Sequence, residues 1–485
     1  MKTEYAKIYL FIFVLLQTQS ECYKILVYNP KLSYSHVKFF GQIADLLVEA
    51  GHDVVTYMPD AATGLTFNGT KLARIIPGPP LIDNSTLLLE DIIKNAWDER
   101  FFDFFSIIKR IKQQMETHIQ TCSGDLKSVI SAQVSNNESM QQLREENFDF
   151  GITELISPCG YAVFHKIGLT NYATAFATDI LAVLSSSLGV NSNPSYVPNS
   201  MQDAIQKSSF AFINSDQLLQ DQHLSSPKLV YIGGIATTRP KSLNKQFQDI
   251  LNKSNSVVLV SFGSLAKSSN MPQHIKNSFR ETFRSFPEIT FIWKYEEDDQ
   301  FAHELPNVIK KQWIPQQELL EHPKLKVFIS HCGQNSVEES VQGGVPLLCI
   351  PLFGDQMRNT GKVLRRKIGI FVDKHHITPE VMKNALLEIL YDKRYLETSL
   401  NLREMIKNKP ITPQESLLRH INFASKFGPI DNFDIALNKL SFFQYYLLDI
   451  LIPLLAVFVF LLYFIFRMFR NILYKLLIIW KAKTD

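Results

Sequence analysis

Residues 313–356 constrain the fold more than any other stretch, because they read in order as turn, strand, turn, helix and strand. The apolar run 327–330 has the character of a buried parallel strand. His331-Cys332-Gly333 then turns the chain, and a helix is expected from about Ser336. A second apolar run, 345–350, gives the next strand and delivers Asp355 and Gln356 to its carboxyl end. In a doubly wound sheet such strand ends converge on one crevice. Unpaired N–H groups and the positive end of the helix dipole point into it, which makes it a seat for a pyrophosphate.

The start of the chain repeats the theme. Residues 24–28 form an apolar strand, 37–50 carry helical periodicity, and Gly51-His52-Asp53 leads into a strand at 54–57. This βαβ unit lacks a G-x-G-x-x-G turn, which argues against NAD. At 485 residues the chain is too long for one ordinary core and suits two domains. A net charge of +3 on 50 basic and 47 acidic residues gives no footprint for nucleic acid, so that class of partner is set aside. The polar stretch around Thr237-Thr238-Arg239-Pro240 marks the boundary.

The block at 313–356 resembles the signature of the UDP-glycosyltransferase family, in the animal branch that includes UDP-glucuronosyltransferases. The resemblance implies an α/β fold of the glycosyltransferase-B type, with two facing Rossmann-like domains: an acceptor-binding domain at 21–240 and a UDP-sugar-binding domain at 251–430. It implies that Trp313 and Gln316 hold the uracil and its ribose, that His331, Asn335 and Ser336 hold the diphosphate, and that Glu339 holds the ribose hydroxyls. Asp355 and Gln356 would hold the sugar. Ser336-x-x-Glu339 is also a capping box, which alone would satisfy only backbone donors. Capping does not require the Trp, the His and the terminal Asp-Gln in one order, so the conjunction favours ligand contacts. After the strand at 257–262, Gly263-Ser264 resembles the family's second phosphate-contacting turn.

Transfer of a sugar from UDP needs the departing diphosphate stabilised and the acceptor hydroxyl deprotonated. Helix N-termini, Ser264 and His331 are expected to neutralise charge without a divalent ion. His36, just past the first strand, resembles the family's catalytic base, and an imidazole with a pKa of about 6.5 suits that task. Glu154, at the end of a strand at 148–154, matches the carboxylate that orients the base. Many relatives carry Asp there. No C-x-x-C or H-x-x-x-H spacing offers a metal site, and the acidic run 296–299 reads as a solvated loop, so neither metal nor cofactor is expected beyond the UDP-sugar substrate.

Both ends speak of membrane. Lys2 and Lys7 precede the apolar run 8–16 and Thr18-x-Ser20, the pattern of a signal peptide over 1–20. Residues 446–466 are almost wholly apolar and long enough to span a bilayer. Arg467, Arg470, Lys475, Lys481 and Lys483 follow, which places 467–485 in the cytosol and the domains in the lumen. Lys481 and Lys483 near the end resemble a dilysine retrieval signal, so a single-pass endoplasmic-reticulum membrane protein is expected. Four N-x-S/T sequons, at Asn68, Asn84, Asn137 and Asn252, fit lumenal exposure. Five cysteines are too few for a disulfide scaffold, and the sequence leaves a Cys122–Cys159 bridge open.

The expected function is inverting transfer of a hexose or hexuronic acid from a UDP-sugar to a hydroxyl of a small lipophilic acceptor. The alternatives are a lipid-directed glycosyltransferase and a non-catalytic membrane-resident binding protein. Phe101, Phe102, Phe104 and Phe105 read equally as core and as an apolar acceptor pocket. Glucuronate-using relatives place an Arg near Asn214, and Asn cannot neutralise a carboxylate. UDP-glucose is therefore expected to serve at least as well as UDP-glucuronic acid.

Overall fold

A computed structural model describes residues 21–60, 65–79, 96–97, 137–154, 159–179, 199–220, 226–235, 242–433 and 440–484. The stretch at 1–20, the phenylalanines at 101–105, Asn84 and Cys122 lie outside the described residues.

Short runs of Val, Ile, Leu and Phe, buried on both faces, make parallel strands rather than half-wet hairpins. The first sheet contains β1 (Lys24–Tyr28), β2 (Asp53–Pro59), β3 (Arg74–Gly78), β4 (Phe150–Glu154), β5 (Tyr172–Phe176), β6 (Ala211–Ile213) and β7 (Leu229–Tyr231). Their order is β3-β2-β1-β4-β5-β6-β7, and every pairing is parallel. The second sheet contains β8 (Ser256–Ser261), β9 (Ile289–Lys294), β10 (Val308–Lys311), β11 (Leu325–Ser330), β12 (Leu347–Cys349) and β13 (Gly369–Phe371). Its order, β10-β9-β8-β11-β12-β13, repeats the same winding, again wholly parallel. Each order reverses once, between β1 and β4 and between β8 and β11. Ligands of wound sheets sit outside the carboxyl ends of the strands at such reversals.

Two helices start earlier than their sequence patterns indicate. The helix expected at 37–50 runs Tyr34–Glu49, so His36 lies in its first turn. The helix expected from Ser336 runs Gln334–Gly343, with Gly333 at the N-cap and no side-chain cap. Ser336 therefore sits inside the first turn, and the Ser336-x-x-Glu339 capping box does not form. Periodicity locates apolar faces and is blind to polar first turns, which explains both shifts.

Two segments cross between the sheets' halves. Trp97 joins the core of the second half, edge-on to Phe262 at 4.9 Å, and its indole N–H donates to Lys267 O at 3.0 Å. The helix Pro413–Phe427 returns to the first half, where Asn171 Nδ2 donates to Ala424 O at 2.7 Å and His420 meets Phe210 edge-on at 4.9 Å.

Asn432–Asp485 forms a separate compact unit. It is dominated by one helix, Leu448–Thr484, of which Leu448–Lys481 is long and apolar enough to cross a membrane. At 1.5 Å per residue its 37 residues reach about 55 Å, well beyond a hydrocarbon core of about 30 Å. Arg467, Arg470 and Lys475 thus ride on a continuing helix rather than on an irregular tail.

Candidate functional site

A single cavity of about 720 Å³ gathers residues from both halves. Its lining includes His36, Gly263, Ser264, Trp313, Gln316, His331, Asn335, Ser336, Glu339, Asp355 and Gln356, which is every expected site residue except Glu154. Glu154 stands directly behind His36. The reason is topological: His36 follows β1, Glu154 ends β4, Gly263 follows β8 and His331 follows β11. These are the four strands that flank the two reversals of winding.

On the second half's side, Trp313 is 55% exposed and so is no core residue. Its indole meets Tyr34 edge-on at 5.1 Å and has the Lys294 ammonium 5.5 Å from a ring centroid. Gln316 opens the short helix Gln316–Leu320, and its amide nitrogen donates to Ser336 Oγ at 3.2 Å and to Glu339 Oε2 at 2.7 Å. The other carboxylate oxygen of Glu339 accepts from Lys38 Nζ at 3.2 Å. Asn335 Oδ1 accepts from Asn214 Nδ2 at 2.8 Å, which leaves its amide nitrogen as the donor end. Since Gly333 brings no capping side chain, the first-turn amides of the Gln334–Gly343 helix keep their donors for another acceptor.

His331 is wedged between two glycines. A Cβ at Gly263, where φ is +80°, would lie 2.7 Å from His331 Nε2, and a Cβ at Gly333 would lie 2.5 Å from it. Burial, and then the nearby charge of Lys294, push the imidazole down to about 4. The lowered value favours the neutral imidazole, which can still donate a hydrogen bond from one ring nitrogen. The cation here is Lys294, which lines the cavity and pairs with Glu296 at 2.7 Å.

After β12, Gln356 Oε1 accepts from the backbone N–H groups of Leu352 (2.7 Å) and Phe353 (3.1 Å). Asp355 Oδ2 accepts from Asn359 Nδ2 at 2.8 Å. Burial raises the proton affinity of Asp355, against which Asn359 and the facing His36 act.

On the first half's side, His36 Nδ1 and Glu154 Oε1 are 2.6 Å apart, and Glu154 is 1% exposed. Burial alone would lower the imidazole's pKa. The charge and hydrogen bond of Glu154, with Asp355 beyond, outweigh it and raise the value above the ordinary one. The carboxylate fixes the tautomer: Nδ1 carries the proton facing Glu154, and Nε2 is left as the basic nitrogen.

Several neighbours carry no signal in the motifs. Tyr34, Lys38, Gln42 and Asp45 line the cavity from the Tyr34–Glu49 helix, spaced three and four apart on its polar stripe. That stripe is visible as a helical period opposite the apolar face, but polarity alone does not separate a cavity face from a solvated one. Asn214 is buried, donating to Ala177 O and Asn335 Oδ1, and does not line the cavity. It braces Asn335. The acidic run is not merely solvated, for Glu296 holds Lys294 while Asp299 holds Lys310 and the Tyr295 hydroxyl. Cys332 and Cys349 form a buried disulfide tying the ends of β11 and β12, unmarked by any spacing rule. Cys159 is also disulfide-bonded, with its partner outside the described residues.

Comparison with known proteins supplies the context. The family described as UDP-glucoronosyl and UDP-glucosyl transferase matches residues 23–213 and 198–483. The Caenorhabditis elegans protein ugt-48 is 28% identical over 487 residues, covering 89% of this chain and 91% of its own. UDP-glucuronosyltransferase 1A1 of Mus musculus is 25% identical over 513 residues, covering 95% and 92%. Among solved structures, Phytolacca americana UGT2 complexed with UDP-2fluoro-glucose and pterostilbene is similar at a TM-score of 0.59 and 15% identity, over 84% of this chain and 100% of that one. The glycotransferase of kitacinnamycin gives 0.57 and 16%, over 83% and 98%. These two speak for the fold alone, the glycosyltransferase-B pairing of Rossmann-like sheets. With the family's pattern running through both sheets that wall the cavity, the chain belongs to the UDP-glucoronosyl and UDP-glucosyl transferase family and is a UDP-glycosyltransferase enzyme.

Proposed function

We propose that the enzyme moves a hexose or hexuronic acid from UDP to a hydroxyl of a small lipophilic acceptor, with inversion at the anomeric carbon. The observation that carries this reading is the His36–Glu154 pair at 2.6 Å, facing the same cavity as Trp313, Glu339 and Asp355. The uracil stacks on Trp313, and the ribose hydroxyls donate to Glu339. The diphosphate lies against the first-turn amides of the Gln334–Gly343 helix, Asn335, Ser336 and the Gly263-Ser264 turn. Asp355 accepts from sugar hydroxyls, and the amide nitrogen of Gln356, whose oxygen is already engaged, donates to one.

His36 Nε2 takes the acceptor's proton as its oxygen attacks the anomeric carbon, Glu154 stabilises the imidazolium, and UDP departs from the opposite face. Because attack and departure occupy opposite faces, the anomeric configuration inverts. No step draws on a divalent ion, so EDTA leaves transfer intact. Loss of activity restored by Mg²⁺ would refute that point.

UDP-glucose serves at least as well as UDP-glucuronic acid, because among the described residues no lysine or arginine that lines the cavity is paired with Asp355 or Gln356. Lys38 lies on Glu339, and Lys294 on Trp313 and Glu296. An unpaired glucuronate carboxylate at the sugar end would cost several kcal/mol. The test is a screen of purified enzyme with phenols and sphingolipids against both donors, with product anomers assigned by NMR. A retained configuration would refute the mechanism, and a strong kcat/KM preference for UDP-glucuronic acid would refute the donor assignment.

The Leu448–Lys481 helix anchors the enzyme in the endoplasmic-reticulum membrane with its catalytic halves in the lumen, on the strength of the basic residues that follow residue 466. Protease added to sealed microsomes should then spare the bulk of the chain. Digestion of that bulk would reverse the orientation.

A further inference from the structure

We propose that the start of the Tyr34–Glu49 helix is a nucleoside clamp: Lys38 and Tyr34, carried by the acceptor half, close over the ribose and base held by the donor half. The inference rests on the donor site proposed above and adds residues that no motif marks.

Tyr34 and Lys38 are four residues apart on one helix, so their side chains share a face. Both line the cavity. The Tyr34 ring is stacked on Phe67 at 4.7 Å, which supports it from its own half, and it meets the Trp313 indole edge-on at 5.1 Å. One aromatic platform thus spans the two halves where the base stacks. Lys38 Nζ reaches Glu339 Oε1 at 3.2 Å across 301 residues of chain, while Gln316 occupies Oε2.

Glu339 is buried, and Gln316 brings it only a neutral amide, so Lys38 is the cation that compensates this carboxylate. A carboxylate offers about four acceptor positions, and the ribose hydroxyls can therefore join both oxygens without displacing the lysine. The two remaining N–H bonds of the ammonium then face the nucleotide, where an additional positive charge favours the diphosphate. His36 stands two residues from Lys38 on the same helix and pairs with Glu154. Lys38 and Tyr34 act as donor-binding and positioning residues, not as catalytic ones.

The test measures UDP binding by titration calorimetry on the detergent-solubilised full chain, alongside donor KM and kcat. Lys38→Met is expected to weaken UDP binding and raise donor KM by about tenfold, with kcat falling less than about threefold. Lys38→Arg, which keeps the charge, should stay within about threefold of wild type. Lys38→Met combined with Glu339→Gln should lose much less than the product of the single losses, because both remove one bridge. Tyr34→Leu gives a second reading should Lys38→Met fold poorly, with UDP affinity again reduced by several-fold.

Wild-type protein that fails to bind UDP would overturn the donor site itself, and the clamp with it. Wild-type binding matched by Lys38→Met and Tyr34→Leu would overturn the clamp alone. So would a loss in Lys38→Met that appears in kcat and leaves UDP affinity unchanged.

Discussion

His36 shows how much one carboxylate can decide. Burial by itself lowers the proton affinity of this imidazole and weakens it as a base. The charge and hydrogen bond of Glu154 reverse that and raise its proton affinity. A general base works in its neutral form, so transfer should be full above the raised pKa and fall as pH drops through it. Glu154→Gln removes the charge that raises the value and leaves burial in command. Its acid limb should move to lower pH while maximal turnover falls by about 10- to 100-fold. A pH–rate profile of kcat/KM checks this, and an unmoved limb in the variant would detach Glu154 from the base.

Legibility at this scale depended on chain separation. Trp313, His331, Glu339, Asp355 and Gln356 could be read together because one strand-turn-helix-strand unit presents them in order. The His36–Glu154 pair spans 118 residues and could be named only through the family resemblance. Lys38–Glu339, at 301 residues, was not legible at all, because nothing local distinguishes a lysine that crosses a cleft from one that meets water. The neutrality of His331 was equally hidden, since it follows from burial and from a lysine two strands away in the sheet.

Elements are where apolar pattern was most and least informative. It located β1 to the residue, because the run Lys-Ile-Leu-Val-Tyr stops at once at Asn29-Pro30. It gave the two site helices their apolar faces but missed their first turns, where Tyr34, His36 and Asn335 do not follow the period. It gave no hint of the Cys332–Cys349 bridge, because each cysteine reads as an ordinary small apolar residue at a strand end. That bridge closes a loop over a sequence separation of 17 and pins the turn bearing His331 to the end of β12. Constraining a loop of this size in the unfolded chain contributes about 3 kcal/mol. Replacing both cysteines by Ala should lower unfolding free energy by about 2–4 kcal/mol in denaturant titration of the solubilised protein. Unchanged stability, or free thiols at Cys332 and Cys349 in the native protein, would contradict the bridge.

The enzyme as a whole is two copies of one winding whose reversals of strand order meet at a shared cavity, and its chemistry follows from that meeting. Neither half holds all the candidate residues, for His36, Glu154, Tyr34 and Lys38 belong to the first and Trp313, His331, Glu339 and Asp355 to the second. Polar bonds fasten the halves around the cavity: Lys38 to Glu339, Asn214 to Asn335, and the Asp216 backbone N–H to Glu338 at 3.0 Å. Several strands of both sheets were legible in the apolar pattern, while the pairing of two facing wound sheets came from the family resemblance. The crossing of Trp97 and of the helix Pro413–Phe427 between halves was not legible, since exchange of segments between neighbouring cores leaves no mark on local periodicity.

The most direct test of the account separates binding from chemistry in one variant. Wild type and His36→Ala are assayed for glucose transfer from UDP-glucose to a phenolic acceptor, with UDP affinity measured on the same preparations. The account predicts that His36→Ala loses about 10² to 10⁴ in kcat while UDP affinity stays within about threefold of wild type. Near-normal turnover in His36→Ala would contradict it.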